Sequence, residues 1–260
     1  MNELKKSRSQ KVTKTYLWPM SDVHWGSDHF DKEKFLKYIQ WAHQTPNLKI
    51  ILLGDLMENA IPERIPEAMF EQNLQPRTQL EELVKILRPL KSKILCAMTG
   101  NHELRTYYKS SLDPTEILCT QLNIPFMKDG GGYVQIFSGK QRYVLAVHHG
   151  ASASVGNMRL DLDKLRKIYP HAEGWIAGHN HFLGSLKLSE LVPEPTDCEG
   201  PMLARKQELT YIRSGSFLKY GGYAARKLYE PQRTGNAIIK LYIDNHIIGV
   251  DDSDRIGTEL

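Results

Sequence analysis

The stretch Leu48–Asp55, with the sequence LKIILLGD, is an aliphatic run that ends abruptly in a glycine and a carboxylate. Asn47 precedes the run, and only Lys49 interrupts its apolar character. A short aliphatic run between turn-forming residues is typical of a β-strand buried on both faces. The stretch therefore predicts a central strand of an α/β sheet, with a polar group directly at the carboxyl end of the strand.

The same arrangement recurs at four other places along the chain, where apolar strands end in residues that can bind metal. The five strand ends are Ser21-Asp22-Val23-His24, Gly54-Asp55, Gly100-Asn101-His102-Glu103, His148-His149-Gly150 and Gly178-His179-Asn180-His181. Open α/β sheets bind ligands beyond the carboxyl ends of their strands, so these five ends can meet in one crevice. Imidazole and carboxylate groups without thiolate suit a divalent ion such as manganese, iron or zinc.

Helical and extended patterns alternate along the rest of the chain. Spacing of apolar residues and capping signals predict helices at Lys32–His43, Gln79–Leu87, Asp113–Leu122 and Arg159–Tyr169. Extended patterns predict strands at Val12–Met20, Lys93–Met98, Tyr133–Phe137, Tyr143–Val147 and Trp175–Ala177, and mostly strands from Leu183 onward. This mixture predicts an α/β domain whose second half adds a mixed or antiparallel sheet.

Length and composition narrow the classes of protein to which the chain can belong. Its 260 residues are 41% hydrophobic and 25% charged, which is ordinary for a globular protein and excludes wholesale disorder. No apolar run approaches the ~20 residues of a membrane span, and the beginning of the sequence lacks the pattern of a signal peptide. We therefore expect a cytoplasmic protein with no membrane partner. The three widely spaced cysteines exclude a disulfide framework.

Charge is concentrated at one end of the sequence. Residues 1–14 contain five basic residues and one acidic residue, whereas residues 15–260 contain 29 of each kind. We interpret residues 1–14 as a basic flexible N-terminal arm and residues 15–260 as a single domain. The arm is either a contact for nucleic acid or a solvated terminus without a role. The charge-balanced body does not itself require a nucleic-acid partner.

The number of candidate donors distinguishes one metal ion from two. The candidates are Asp22, His24, Asp55, Asn101, His148, His179 and His181. A single catalytic zinc needs only three protein ligands, so seven donors suit two ions that share a carboxylate. Two ions ~3.5–4 Å apart are the arrangement for in-line displacement at phosphorus. Side chains at i and i+2 of an extended backbone point the same way, so Asp22 with His24, and His179 with His181, can each reach one ion.

The five blocks resemble the calcineurin-like metallophosphoesterase superfamily, whose pattern runs D-x-H, G-D, G-N-H-[DE], H and G-H-x-H in that order. The resemblance implies a four-layer αββα sandwich of two mixed β-sheets flanked by helices. It also implies two divalent ions, with manganese favoured and iron, zinc, nickel or magnesium as alternatives. The implied ligands are Asp22, His24 and His181 for the first ion, Asp55 as the bridge, and Asn101, His148 and His179 for the second.

His148 is preferred to His149 because it matches the first histidine of its block. Adjacent strand residues face opposite sides, so only one of the two should face the ions. The resemblance further implies that a metal-bridging hydroxide attacks phosphorus in line. His102 would act as a general acid or orient the phosphate. Arg105 and Arg213 are the candidate substrate-binding residues. Arg105 follows the Gly100–His102 loop closely enough to reach a phosphate, with a surface salt bridge as the alternative. Arg213 either packs around the pocket or contacts a phosphate.

The motifs predict a phosphoester hydrolase without identifying the ester. A phosphodiesterase acting on DNA or RNA is favoured, because of the basic arm, the basic cluster at 159–167 and the aromatic residues Trp25, Tyr107 and Tyr108. The chain also looks similar to stand-alone phage or prophage-encoded members of the superfamily. The alternatives are a small-molecule or nucleotide phosphodiesterase or phosphatase, and a non-catalytic scaffold. A protein phosphatase is the weakest alternative, because Asp55 lacks the Asp-Arg-Gly continuation of that subfamily.

Overall fold

The computed structural model describes residues 13–62, 64, 66–152, 158–197, 199–226 and 228–253. Residues 1–12 of the predicted N-terminal arm lie outside this range. Lys14, the last residue of that arm, already belongs to the first strand and lies opposite Tyr242 in the sheet.

The helices and strands follow the order that the sequence predicts, with additions. The strands are β1 (Lys14–Met20), β2 (Leu48–Leu52), β3 (Ile94–Ala97), β4 (Gly131–Ser138), β5 (Gln141–His148), β6 (Gly174–Ala177), β7 (Leu183–Pro193), β8 (Ala204–Ser216), β9 (Gly235–Asn236), β10 (Ile238–Tyr242) and β11 (Ile248–Asp251). The helices are α1 (Lys32–Gln44), α2 (Pro76–Leu87), α3 (Asn101–Ser110), α4 (Pro114–Leu122), α5 (Leu160–Ile168) and the short α6 (Gly222–Arg226). Short 3₁₀ segments lie at Pro66–Glu71 and Arg88–Lys93. Helix α3 is an element that the sequence patterns did not predict.

Two mixed sheets form the centre of the fold, which confirms the predicted α/β class. The first sheet has the order β11-β10-β1-β2-β3, in which β1, β2 and β3 are parallel and β10 runs antiparallel to β1. The second has the order β4-β5-β6-β8-β7, with β5, β6 and β8 parallel and β9 paired to β8. The parallel strands of each sheet end at the edge that carries the metal-competent residues.

Alternating side chains of β2 show how the layers stack. Ile50 and Leu52 pack in a core with the residues of α1, α2 and α4. Ile51, with Leu53 just beyond the strand, packs instead against the inner face of the second sheet. The outer face of the second sheet packs against α5, where Leu162 lies in the same core as Trp175. The layers are therefore helices, sheet, sheet and helix, with β2 buried on both faces as its aliphatic sequence predicts.

Local chemistry explains where several elements begin and end. The carboxylate of Asp113 accepts hydrogen bonds from the backbone N–H groups of Thr115 (2.8 Å) and Glu116 (3.4 Å), and Pro114 occupies the first turn. This is the predicted N-cap of α4. The predicted hairpin of β4 and β5 also forms, and Ser138 pairs with Gln141 across its turn. In the described part of the chain, none of the helices has the length and apolarity that crossing a membrane requires.

Candidate metal centre

The five predicted strand ends come together where the two sheets face each other. The first sheet contributes Asp22 and Asp55 from the loops after β1 and β2. The second contributes His149 and His179 from the loops after β5 and β6. The backbone N–H of His179 donates to Asp22 Oδ2 at 3.0 Å, so the two sheets are joined directly at this edge. The convergence that the strand ends predict is present in the structure.

Asp22, His24 and His181 form one set of donors. His24 Nε2 lies 3.2 Å from His181 Nε2, and His181 Nε2 lies 3.5 Å from Asp22 Oδ1. Asp22 Oδ1 is buried and has no hydrogen-bond partner among the described residues. His24 Nδ1 faces Glu58 Oε2 at 3.2 Å, and because a carboxylate only accepts, that nitrogen carries the proton. The lone pair of His24 Nε2 is then directed at the space that the three donors share.

Asp55, His149 and His179 form a second set of donors. His149 Nε2 lies 3.4 Å from Asp55 Oδ2 and 3.0 Å from the side-chain oxygen of Asn101. His149 Nδ1 donates to the carbonyl of Leu53 at 2.8 Å, which leaves Nε2 as the nitrogen that faces the other donors. His179 Nδ1 is buried and has no hydrogen-bond partner among the described residues.

The donor chemistry of both sets fits a pair of divalent cations. Carboxylate, amide and imidazole groups are the ligands of such ions, and each set holds its donor atoms within 4.8 Å of one another. A buried polar atom without a partner costs free energy. One cation beside Asp22 Oδ1 in the first set, and another beside His179 Nδ1 in the second, would remove that cost. Burial lowers the pKa of His149, but the Asp55 carboxylate outweighs burial and raises the pKa to about 10. Ion binding at His149 Nε2 therefore displaces a proton.

His149, not His148, belongs to the site, so the prediction of His148 as a ligand is wrong. Val147 packs between the two sheets, and because side chains alternate along a strand, His149 continues on that inner side. His148 lies on the other side of the strand, where its Nδ1 accepts a hydrogen bond from the backbone N–H of Gly150 at 2.8 Å. Only one of the two histidines faces the other donors, as the alternation of strand side chains predicts.

The two histidines of Gly178-His179-Asn180-His181 also divide between the sets. His181 lies with Asp22, whereas His179 lies with Asp55. The expectation that the pair reaches one ion is therefore wrong, and the backbone is not extended at either residue, where φ is 69° and 60°.

Left-handed backbone conformations are concentrated at this site. Five of the donors have φ between +49° and +69°: Asp22, His24, Asp55, His179 and His181. Such conformations cost about 1–3 kcal/mol each in residues with a side chain, and they persist only where surrounding contacts impose them. The strain holds the side chains in directions that a regular strand end would not provide.

Two glycines allow the loops to approach each other closely. A Cβ atom on Gly100 would lie 2.2 Å from both the backbone nitrogen and Oδ1 of Asp55. A Cβ atom on Gly178 would lie 2.0 Å from Ser21 Oγ and 2.6 Å from Asp22 Oδ2. The glycine before each of these donor blocks is therefore a steric requirement of the packed site.

Glu103 holds the loop of Asp55 in place without facing the donor sets. Its Oε2 accepts hydrogen bonds from the backbone N–H groups of Asp55 (3.0 Å) and Gly100 (3.1 Å), and its Oε1 accepts one from Met57 (3.0 Å). Burial and the nearby Asp55 carboxylate raise the pKa of Glu103 to about 7. Glu103 thus ties together the chain ends that follow β2 and β3.

The carboxylate of Glu58 contacts three basic side chains, those of His24, His102 and Arg105. Its Oε2 accepts from His24, and its Oε1 lies 3.6 Å from His102 Nδ1 and 3.5 Å from Arg105 Nη1. Burial raises the pKa of Glu58, but His102 and the hydrogen bond from His24 lower it to about 2. The ionised carboxylate orients His24, a role that the sequence pattern alone did not assign.

His102 contacts both Glu58 and Asp55. Its backbone N–H donates to Asp55 Oδ1 at 2.8 Å, and its Nδ1 donates to the carbonyl of Glu58 at 2.7 Å. Its Nε2 lies 2.7 Å from Arg105 Nη2, which donates to it. Burial lowers the pKa of His102 to about 4, so the ring is neutral at pH 7. The predicted catalytic histidine is thus beside the donors, and Arg105 is held against it.

Arg213 is buried and meets the site only through the Gly178 carbonyl, so its prediction as a substrate-binding residue is wrong. The side chain is 0% exposed. It donates to the carbonyls of Met158 (3.0 Å) and Gly178 (3.3 Å), and its Nη1 lies 3.5 Å from Asp161 Oδ2. The buried arginine anchors the turn that precedes His179 instead of reaching outward to a phosphate.

Comparison with known proteins finds only distant structural similarity. No family model and no curated protein matches the sequence. A protein named as a candidate 5′-nucleotidase from Staphylococcus aureus, in complex with alpha-ketoglutarate, superposes with a TM-score of 0.47 at 10% identity. That match covers 92% of this chain and 53% of the other, so the chain spans about half the length of that protein.

Two further solved structures give lower TM-scores. One named as a predicted phosphoesterase, from Streptococcus pneumoniae, gives a TM-score of 0.41 at 15% identity, over 92% of this chain and 89% of its own. Vps29 from Entamoeba histolytica, complexed with zinc, gives 0.30 at 13% identity, over 68% and 87%. With TM-scores below 0.5, the case for a function rests on the geometry of the site itself.

Proposed function

We propose that the chain is a metallophosphoesterase of the calcineurin-like type that hydrolyses phosphodiesters with two divalent ions. The observation that carries the proposal is the pair of adjacent donor sets described above, each with a buried donor atom that lacks a partner. The five motif blocks that resemble this superfamily supply six of the seven proposed ligands as the resemblance implies. Only His148 is replaced, by its neighbour His149.

The proposed ligands divide between the ions as the two sets do. Asp22, His24 and His181 would hold the first ion, and Asn101, His149 and His179 the second, with Asp55 as the proposed shared ligand. The two ions would supply a nucleophile at neutral pH and stabilise the charge that develops on a phosphate. Manganese is the proposed metal, because mixed carboxylate and imidazole donors without thiolate suit it.

The chain's own residues orient the donors and the substrate. Glu58 holds the His24 ring so that Nε2 faces the first set. Glu103 holds the loop of Asp55 through two backbone hydrogen bonds and accepts a third from Gly100. Neutral His102 carries its proton on Nδ1, which faces the Glu58 carbonyl, so its Nε2 can orient a phosphate oxygen or assist the leaving group only once it is protonated. Arg105 beside His102 supplies positive charge to a substrate phosphate.

Nucleic acid is the proposed substrate class. The sequence supports it through the five basic residues of the arm at 1–14, since phosphate contacts by such residues dominate nucleic-acid binding. The exposed tyrosines of α3, Tyr107 and Tyr108, are a second argument, because nucleobases stack on such rings. Trp25 is not one of them, because it is 4% exposed and its Nε1 donates to Glu82 at 2.8 Å.

The test pairs two adjacent histidines as variant and control. Manganese bound to the gel-filtered protein is counted by mass spectrometry of the metal, and hydrolysis of bis-p-nitrophenyl phosphate is followed by absorbance. The wild type should bind two ions. His149→Ala should bind fewer ions. Its activity should fall by more than about 10–100-fold, which is the typical cost of changing a residue around a metal site. His148→Ala should behave as the wild type. A wild type that binds no manganese and hydrolyses no phosphodiester would overturn the proposal.

A further inference from the structure

Helix α3 connects the candidate metal centre to an exposed aromatic surface. Asn101 opens the helix beside His149. Residues four and seven positions further, Arg105 and Tyr108, lie on the same helical face as Asn101, because 3.6 residues complete a turn. Tyr108 is then about 10 Å along the axis from Asn101. One face of a single helix thus leads from the proposed second ion, past a cationic side chain, to a tyrosine ring.

The ring of Tyr108 is available to a ligand. Its side chain is 62% exposed, and that of the adjacent Tyr107 is 43% exposed. The two rings lie 5.8 Å apart at an angle of 59°. The guanidinium carbon of Arg64 lies 5.1 Å from the centre of the Tyr108 ring. An exposed aromatic ring beside an arginine is the combination with which proteins stack nucleobases and hold the adjoining phosphates.

The position of Tyr108 distinguishes it from an ordinary exposed tyrosine. Scattered exposed aromatic residues are common on proteins and need no explanation. Tyr108, however, shares its helix and its helical face with Arg105, which contacts the His102 ring at the site. A phosphodiester placed at the donor sets would therefore extend along α3 toward Tyr108 if its substituent is large enough.

We infer that Tyr108 and Arg64 form a stacking subsite for the nucleobase adjoining the scissile phosphate, which makes nucleoside-bearing phosphodiesters the substrates of the site. The inference rests on the proposed phosphodiesterase function and specifies its substrate. The subsite contributes only when the ester carries a base. Removing the ring should therefore affect one class of substrate and leave a small ester unchanged.

The kinetic test uses two phosphodiesters with the same leaving group. Thymidine 5′-p-nitrophenyl phosphate carries a base, and methyl p-nitrophenyl phosphate does not. Tyr108→Ala should lower kcat/KM for the thymidine ester about tenfold, which lies in the range for loss of one stacked base. It should leave kcat/KM for the methyl ester unchanged, and Tyr108→Phe should restore the thymidine rate. The control is Phe137→Ala, an equally exposed aromatic residue (60%) at the opposite end of β4 from the site.

A binding measurement separates this inference from the proposed hydrolysis. Fluorescence anisotropy with a labelled oligo(dT), in the presence of a chelator, does not require turnover. Tyr108→Ala should bind about tenfold more weakly than the wild type, and Phe137→Ala should bind equally. Equal binding by Tyr108→Ala, or no binding by the wild type, would overturn the subsite even if both esters are hydrolysed. Binding that depends on Tyr108 without hydrolysis of either ester would retain the subsite and overturn the phosphodiesterase.

Discussion

Replacing Arg213 by methionine tests the claim that this residue stabilises the site from within. Methionine keeps much of the buried volume of the side chain and removes the charge. Arg213 is fully buried and lies 3.5 Å from Asp161 Oδ2, and the Asp161 side chain is 8% exposed. Removing one member of a buried ion pair leaves the other charge uncompensated and costs about 3–5 kcal/mol. The hydrogen bonds to the carbonyls of Met158 and Gly178 are lost as well.

Urea unfolding followed by circular dichroism measures this loss. For a slope of about 2–3 kcal/mol per molar urea, the midpoint should fall by roughly 1–2.5 M. The matched control is Arg159→Met, because Arg159 also pairs with an aspartate of α5, Asp163, at 3.2 Å, but in an exposed i,i+4 pair. Exposed pairs of this kind contribute only about 0.3–0.5 kcal/mol. A loss in Arg213→Met no larger than that of the control would contradict a stabilising buried ion pair.

The pH dependence of the loss gives an independent check. Burial raises the pKa of Asp161, but the backbone N–H groups of Ser152 and Ala151, together with Arg213, lower it overall. A carboxyl group with a lowered pKa in the folded state contributes stability above its unfolded pKa of about 3.9, and loses it as the pH falls through the folded value. The difference between wild type and Arg213→Met should therefore shrink below about pH 4. A difference that stays constant from pH 7 to pH 3 would contradict an ionic origin.

Two further predictions concern packing. Gly100→Ala should abolish manganese binding, because its Cβ would lie 2.2 Å from the Asp55 backbone nitrogen. The control Gly249→Ala should bind as the wild type, because the nearest neighbour of its Cβ would be a Tyr242 ring carbon at 3.2 Å. Equal manganese counts in the two variants would contradict the steric argument. Burial raises the pKa of the Cys96 thiol to about 11 and that of the Cys119 thiol to about 12. In a Cys198→Ser variant, neither thiol should therefore react with iodoacetamide at pH 8 until urea is added. Modification of the folded variant, detected by mass spectrometry, would contradict their burial.

Elements with a strong local signal were predictable from the sequence. Asp113 followed by Pro114 marks the beginning of α4 through hydrogen bonds within the first turn, which need no distant residue. The aliphatic run of β2 likewise predicts burial on both faces. Helix α3 was missed because, of its ten residues, only Glu103 is buried, so it presents no apolar stripe to detect. Its polar residues face the site or solvent.

Parts of the site that depend on distant contacts were not predictable. Glu58 gives no local sign of its role, because its partners His24 and His102 come from other strand ends. Arg213 follows an apolar run, which suits either a pocket or a core position. Only the packing of α5 against the second sheet places Asp161 beside it and excludes solvent. Trp25 was likewise compatible with stacking on a ligand until its burial was known.

The chemical groups at the ends of the buried strands could be predicted from short stretches of sequence, in which an apolar run is followed by glycine, histidine or a carboxylate. The direction of each group could not: His149 faces Asp55 while His148 turns away, and His179 and His181 separate between two donor sets. A side chain's direction depends on its backbone angles and on which face of a strand meets the other sheet. Both are imposed by residues far away in the chain.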